Sequence, residues 1–411
     1  MNSKDYLLVA DIGGTNSRLY LIEVDPSSAL TFEAKRGLKV PGRDVLTRSF
    51  LNQDYPSLSA IVEAFISEAK EVKKVNKVPA AACFAVAGPV KNNRVSFTNR
   101  NWDIDGNSIG AAVGIPRVEL INDFVAVGYG LLTLDANKDC VVLQEGTPMA
   151  GPIACVGAGT GLGQCYLCPI NEGGEYACFA SEGGHTEFSP RDDIEYGLQK
   201  YLKDKFMEPN RISVERVVSG MGLLNMYEYF CSIYPDLVNE QINASIASAG
   251  DLKGKVIAEN RMNCKLCHLT MQEFVRSYGA ECGAVALKFL CTGGLFLCGG
   301  LTPKNIDLIK DPQGPFMATF LDKGRLTQTT RTIPVYAVMD EKIGLWGAHY
   351  VAFRDYCRLR LAPKNGSETN GKRAQDKNPR VLKTIGVAAL LAVAITSAFL
   401  LGRSSLRNSR A

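Results

Sequence analysis

The feature that most constrains this 411-residue chain is a pattern that occurs twice. Over residues 6–24 an apolar run is broken by Gly13, Gly14, Thr15 and Asn16 and followed by a second run of alternating apolar residues. That spacing predicts strand, turn, strand. Residues 152–168, PIACVGAGTGLGQCYLC, repeat the design about 145 residues later, so the body is expected to be built from two related halves. Between them the pattern predicts strands over 81–87, 94–98 and 118–121, separated by helical stretches such as 58–72 and 109–113. Beyond Arg191 it turns mainly helical, with strands again over 295–298 and 333–338. The predicted class is α/β, in two lobes.

Composition narrows the function classes. With 46% hydrophobic and 21% charged residues the chain is an ordinary globular one, which excludes a disordered or collagen-like protein. The net charge of +4 is unevenly spread. From Pro363 onward there are nine Lys/Arg against two Asp/Glu, and before it 37 against 40, so a mildly acidic body carries a basic tail. Such a body has no electrostatic footprint for nucleic acid. The thirteen cysteines are odd in number and scattered, and the start MNSKDYLLVADIGG has none of the marks of a secretory signal. They are expected to be reduced thiols of a cytosolic body. Cys264, Cys267 and His268 match the haem-attachment spacing, but that attachment belongs to exported proteins, and they read as ordinary thiols. Cys165, Cys168 and Cys178 lack a fourth ligand at zinc spacing, so no structural zinc is expected.

The C-terminus has its own character. Residues 365–378 hold almost no large apolar side chain and read, within a basic flexible linker over 363–383, as unable to bury a core. Residues 384–402 then run without a charge between Lys383 and Arg403. As a helix that segment is about 28 Å long, close to the roughly 30 Å hydrocarbon thickness of a bilayer. With only the short basic tail 403–411 after it, this is expected to be a transmembrane helix of a tail-anchored protein whose catalytic body faces the cytosol. Its moderate hydrophobicity and basic flanks favour the mitochondrial outer membrane over the endoplasmic reticulum.

The two Gly/Thr turns, one per lobe, suggest a nucleotide held between the lobes, since glycine lets backbone N–H groups approach phosphate oxygens. GAGTGLGQ has no Lys where a Walker loop requires one, and Gly157, Gly159, Gly161 and Gly163 do not space as GxGxxG. P-loop and dinucleotide folds are therefore set aside.

Eight ordered motifs carry a resemblance over residues 5–361: DIGGTNSR from Asp11, AVAGPV from Ala85, TNRNW from Thr98, INDF from Ile121, GAGTGLG from Gly157, SEGGH from Ser181, ERVVSG from Glu215 and GGLFLCGGL from Gly293. In these the chain resembles the bacterial-type glucokinases, within the hexokinase, Hsp70 and actin superfamily. The resemblance implies a duplicated ribonuclease-H-like fold with a central cleft. Its small lobe would comprise 1–132 completed by a C-terminal helix at about 346–362, and its large lobe 133–345. It implies ATP, Mg2+ and glucose as ligands, glucose 6-phosphate as product, and a possible homodimer. Asp123 becomes the general base on the sugar 6-OH, although it could also cap the helix that begins near Phe124. Asn122, Asp123, Glu182, His185 and Glu215 match the sugar-contacting positions, with Gly183 and Gly184 shaping the loop. Taken alone, Glu215 would read as a first-turn helix acid after Ser213. Asp11, Gly13, Gly14 and Thr15 match the first phosphate turn, Gly159, Thr160 and Gly161 the second, and Gly299 and Gly300 the approach to the adenosine. Asp11 is also expected to hold magnesium through water. Two departures stand out: a longer or more divergent stretch over 232–263, and the membrane tail. Competing readings are a membrane-tethered glucose or ATP sensor with residual activity, and a kinase preferring mannose, glucosamine or fructose.

Overall fold

The computed structural model describes residues 4–33, 36–97, 102–147, 149–171 and 174–362. Residues 1–362 form one compact unit. The linker and the expected membrane helix therefore lie outside the described residues, as do residues 98–101 of TNRNW. Among the described residues no helix is long and apolar enough to cross a membrane.

The strands in chain order are β1 (Asp5–Ile12), β2 (Asn16–Val24), β3 (Arg43–Leu51), β4 (Ala81–Val86), β5 (Arg94–Phe97), β6 (Trp102–Asp105), β7 (Val118–Asn122), β8 (Cys140–Gln144), β9 (Ile153–Ala158), β10 (Leu162–Pro169), β11 (Tyr176–Ser181), β12 (Gly294–Cys298) and β13 (Val335–Val338). Two sheets result, in the orders β3-β2-β1-β4-β7 and β11-β10-β9-β12-β13-β8, with β5 and β6 forming a separate ribbon. Each large sheet opens with an antiparallel meander and continues with parallel strands: β1, β4 and β7 in one, β9, β12 and β13 in the other. The repeated hairpin of the sequence is thus the first hairpin of each sheet. The central parallel strands, AACFAV in β4, IACVGA in β9 and VYAV in β13, are buried at every position. Covered on both faces, they are continuous apolar runs rather than alternating ones.

Helices Asp123–Leu131 and Ile343–Leu361 pack against each other, and their side chains share one core with both sheets: Val9 and Cys83 from the first, Cys155 and Phe296 from the second. Their close crossing depends on glycine, because a Cβ at Gly347 would collide with the Ala126 carbonyl and one at Gly130 with that of Ile343. Each fully buried Leu or Phe in this layer contributes roughly 1.5–3 kcal/mol. The thirteen cysteines form no disulfide. The haem-like spacing has a local explanation: Cys264 is the N-cap of helix Lys265–Phe289, its Sγ accepting the Cys267 amide at 3.5 Å. The divergent 232–263 stretch carries two short helices, Glu240–Ser248 and Lys253–Glu259.

Candidate active site

The parallel register sets the first half of the site. Asp11 lies opposite Ala85, and Val86 opposite Asn122, so the C-terminal ends of β1, β4 and β7 bring Asp11 and Asp123 to one edge. In the INDF segment Asn122, not Asp123, is the cap of the helix: its Oδ1 accepts the amides of Phe124 at 2.9 Å and Val125 at 3.2 Å. Its Nδ2 donates to Gly88 O at 3.2 Å and to Asp123 Oδ1 at 2.9 Å. Asp123 is the first helical residue, and its Oδ1 also accepts the Phe124 amide at 2.9 Å. The cap reading of the sequence therefore belongs to its neighbour.

Asp11 and Asp123 are both reached by solvent, yet protein surrounds them on enough sides to strip much of their hydration. That desolvation pushes both carboxyls above the usual range. The charge of Asp11 raises Asp123 further, while the Phe124 amide draws it part of the way back, and Arg18 partly offsets the rise at Asp11. A pair of carboxylates short of positive charge is suited to a cation-bearing ligand. Among the described residues no three His, Cys, Asp or Glu side chains converge on a metal position.

The first Gly/Thr turn is closed by Gly13 N–H donating to Asn16 O at 2.9 Å. It is braced from behind by Asn52, a fully buried side chain whose Nδ2 donates to Gly13 O at 2.8 Å and whose Oδ1 accepts Ser17 Oγ–H at 2.7 Å. The Asn52 amide donates to Thr15 O at 2.9 Å. Asn52 was not legible as a site residue, because its partners lie on a strand pair that only the β2–β3 register assembles.

The second turn is closed by Gly159 N–H donating to Gly161 O at 2.8 Å, and Gly159 O accepts the Gly220 amide at 2.8 Å. A Cβ at Gly159 would meet nothing within 4 Å, so this point of the hairpin faces open space. Glu215 sits, as its local sequence suggests, in the first turn of a short helix after Ser213. Its Oε2 accepts the Leu162 amide at 2.8 Å, tying the loop to the hairpin. Its Oε1 stands 4.0 Å from His185 Nδ1, and Glu182 Oε2 is 3.9 Å from His185 Nε2. Glu182 and His185 are exposed, with side-chain exposures of 75% and 58%. Gly184 packs on Leu162 O and Gly183 on the side chain of Gln164, and bulk at either would displace the loop. Gln164, itself buried, donates to Glu281 Oε1 at 2.7 Å and supports the loop from below.

Gly299, at φ +80°, backs onto the Ala158 backbone at the end of β9, where a side chain would not fit. The helix begun by Gly300 is a single turn, Leu301–Lys304, so these two glycines can offer backbone amides but little helix dipole.

The sequence matches the family model described as Glucokinase over residues 8–354. The glucokinase of Nostoc punctiforme is 39% identical over 363 residues, covering 85% of this chain and 99% of that protein. The crystal structure of a glucokinase from an Antarctic psychrotroph superposes with a TM-score of 0.67 at 28% identity, over 85% of this chain and 99% of the other. That of Balamuthia mandrillaris glucokinase in complex with glucose shares the fold, with a TM-score of 0.65 at 20% identity over 85% and 94% of the two chains. A family match along most of the chain, and identity at this level along nearly the whole of a relative, mean that this protein belongs to the glucokinase family and is an ATP-dependent hexose kinase.

Proposed function

We propose that the protein transfers the γ-phosphoryl group of ATP to the 6-OH of D-glucose, with Asp123 as general base. The observation that carries this reading is the anchoring of Asp123 Oδ1 by the Phe124 amide and Asn122 Nδ2. That leaves Oδ2 to accept the hydroxyl proton, on a carboxyl made more basic by desolvation and by Asp11. Because the transition state of phosphoryl transfer is loose, the base mainly positions the hydroxyl and takes its proton late. The Gly13–Gly14–Thr15 and Gly159–Thr160–Gly161 turns, without side chains at their glycines, lie against the phosphates, and Gly299 and Gly300 against the adenosine side. Magnesium, when bound with ATP, would be held by Asp11 through water and would neutralise phosphate charge. Asn122, Glu182, His185 and Glu215 supply the mixed donors and acceptors that a ring of hydroxyls requires. Closure of the lobes, 1–132 with the C-terminal helix against 133–345, would exclude water as a competing nucleophile.

The test is a coupled assay of the full chain with Mg-ATP, comparing glucose, mannose, fructose, glucosamine and no sugar. Glucose-dependent ADP release with glucose 6-phosphate formed is expected, and Asp123→Ala should lower kcat by about 10²–10⁴-fold. ADP release that ignores sugar would indicate an ATPase, and glucose binding without turnover a sensor.

We further propose that residues 384–402 anchor the body to a membrane, the mitochondrial outer membrane before the endoplasmic reticulum. Support comes from 19 uncharged residues bracketed by Lys383 and Arg403. A chain ending at Ala362 should then leave the membrane pellet with its activity unchanged, and sedimentation of that soluble body would show whether it is a homodimer.

A further inference from the structure

Gly157 and Gly163 are direct cross-strand partners in the β9–β10 ladder. Neither has a positive φ, so neither is glycine for the sake of backbone conformation. What they share is a neighbour. At both positions the space a Cβ would take is filled by the ring of Phe124: Cζ and Cε1 at Gly157, Cε2, Cδ2 and Cζ at Gly163. Two opposed glycines thus leave a flat notch in the hairpin, and the aromatic ring seats in it. Phe124 is the residue after Asp123, and its amide donates to Asp123 Oδ1. The notch lies two residues from Gly159 on one strand and two from Gly161 on the other.

We propose that Phe124 is a positioning residue, which sets the carboxyl of Asp123 in register with the second phosphate turn by seating its ring in the Gly157/Gly163 notch. The inference rests on the reading of Asp123 as base and of residues 159–161 as a phosphate turn. Asp123 directly follows β7 of the first sheet and residues 159–161 join β9 to β10 of the second, and on that reading the sugar hydroxyl and the phosphoryl group must meet between them. A ring held against two bare backbone positions fixes that separation where a flexible side chain would not. Misplacement on the scale of 1 Å at such a point can cost about 10²-fold in rate.

The test uses the full chain with Mg-ATP and glucose, measuring kcat by coupled assay, glucose affinity by calorimetry and stability by thermal melting. Phe124→Ala should lower kcat by about 10–100-fold while glucose Kd stays within about 2-fold. Gly163→Ala places a methyl where the ring stands and should lower kcat similarly. The Gly163→Ala/Phe124→Leu double variant, in which a smaller side chain frees that space, should turn over faster than Gly163→Ala alone. Phe124→Leu by itself keeps the inference testable if the alanine variant does not fold. Unchanged kcat in folded Phe124 variants, glucose affinity falling in step with kcat, or losses that simply multiply in the double variant would each overturn it. A wild-type chain without glucose-dependent ADP release would instead refute the reaction itself, so the two failures are separable.

Discussion

Glu215 accepts the Leu162 amide through Oε2 at 2.8 Å while its Oε1 stands 4.0 Å from His185 Nδ1, so one carboxylate lies between the β9–β10 hairpin and the loop that carries His185. Truncation and neutralisation should therefore differ. Glu215→Ala leaves the Leu162 amide without its partner, a loss of about 1–3 kcal/mol, and removes the proposed sugar contact as well. Glu215→Gln keeps an oxygen for the amide and should melt within about 1 kcal/mol of wild type, yet still bind glucose at least roughly tenfold more weakly. Thermal melts and glucose calorimetry on the two variants decide the matter, and indistinguishable melts would remove the structural half of the assignment.

Asn52 braces the first Gly/Thr turn beside the first sheet, whereas the loop of Glu182 and His185 follows β11 of the second. Asn52→Ala leaves Gly13 O and Ser17 Oγ without the partners that hold them, and the turn should lose its shape. The expected kinetic signature is asymmetric: a several-fold rise in KM for ATP, with glucose affinity nearly unchanged. A parallel loss of both ligands would mean that Asn52 supports the lobe rather than the turn.

The pH dependence of turnover should carry the mark of Asp123. Desolvation, and then Asp11, raise its carboxyl above 3.8, so the deprotonated form that the proposed base requires is lost at a higher pH than for an ordinary aspartate. The acid limb of kcat/KM for glucose is expected to lie above that value. In Asp11→Asn the like charge is gone, and the Asp123 carboxyl, followed by carbon NMR titration, should move down. An upward or null movement would contradict the coupling.

Stability on the acid side should depend on His349. This buried imidazole is lowered by desolvation from 6.5 to about 4, a hydrogen bond to the Pro41 backbone opposing the shift. The unfolded chain therefore binds the proton more readily between those two values. The contribution is complete above about pH 6.5 and is lost as pH falls towards 4, a change on the order of 3 kcal/mol. His349→Gln should flatten that part of the profile in chemical denaturation, and an unaltered slope would show that another group controls it.

The readable parts of the fold were those whose signal is local. β1, β2, β4, β9, β10 and β12 announce themselves as apolar runs beside glycine turns, and the two hairpins reveal the repeat. β3, β8 and β11 did not. RDVLTRSFL and CVVLQ are edge strands of mixed polarity whose state depends on distant partners, Asn16 to Glu23 for β3 and Val335 to Val338 for β8. In the candidate site, the motifs pointed to Asp123 and Glu215. Nothing in the sequence pointed to Asn52 or to Gln164, since each acts through the backbone or side chain it meets from another element.

The sequence by itself determined where the chain turns, that it does so twice in the same manner, and which acids and amides stand beside those turns, because turn chemistry and apolar periodicity are properties of a few consecutive residues. Only the tertiary structure decided how the glycines divide their work. In GAGTGLG, Gly159 faces open space, Gly161 lies against the Glu215 carboxylate, and Gly157 and Gly163 make room for the Phe124 ring. The physical reason is that a missing Cβ has no meaning along the chain. It acquires one from whatever the fold brings into the space the Cβ would have filled.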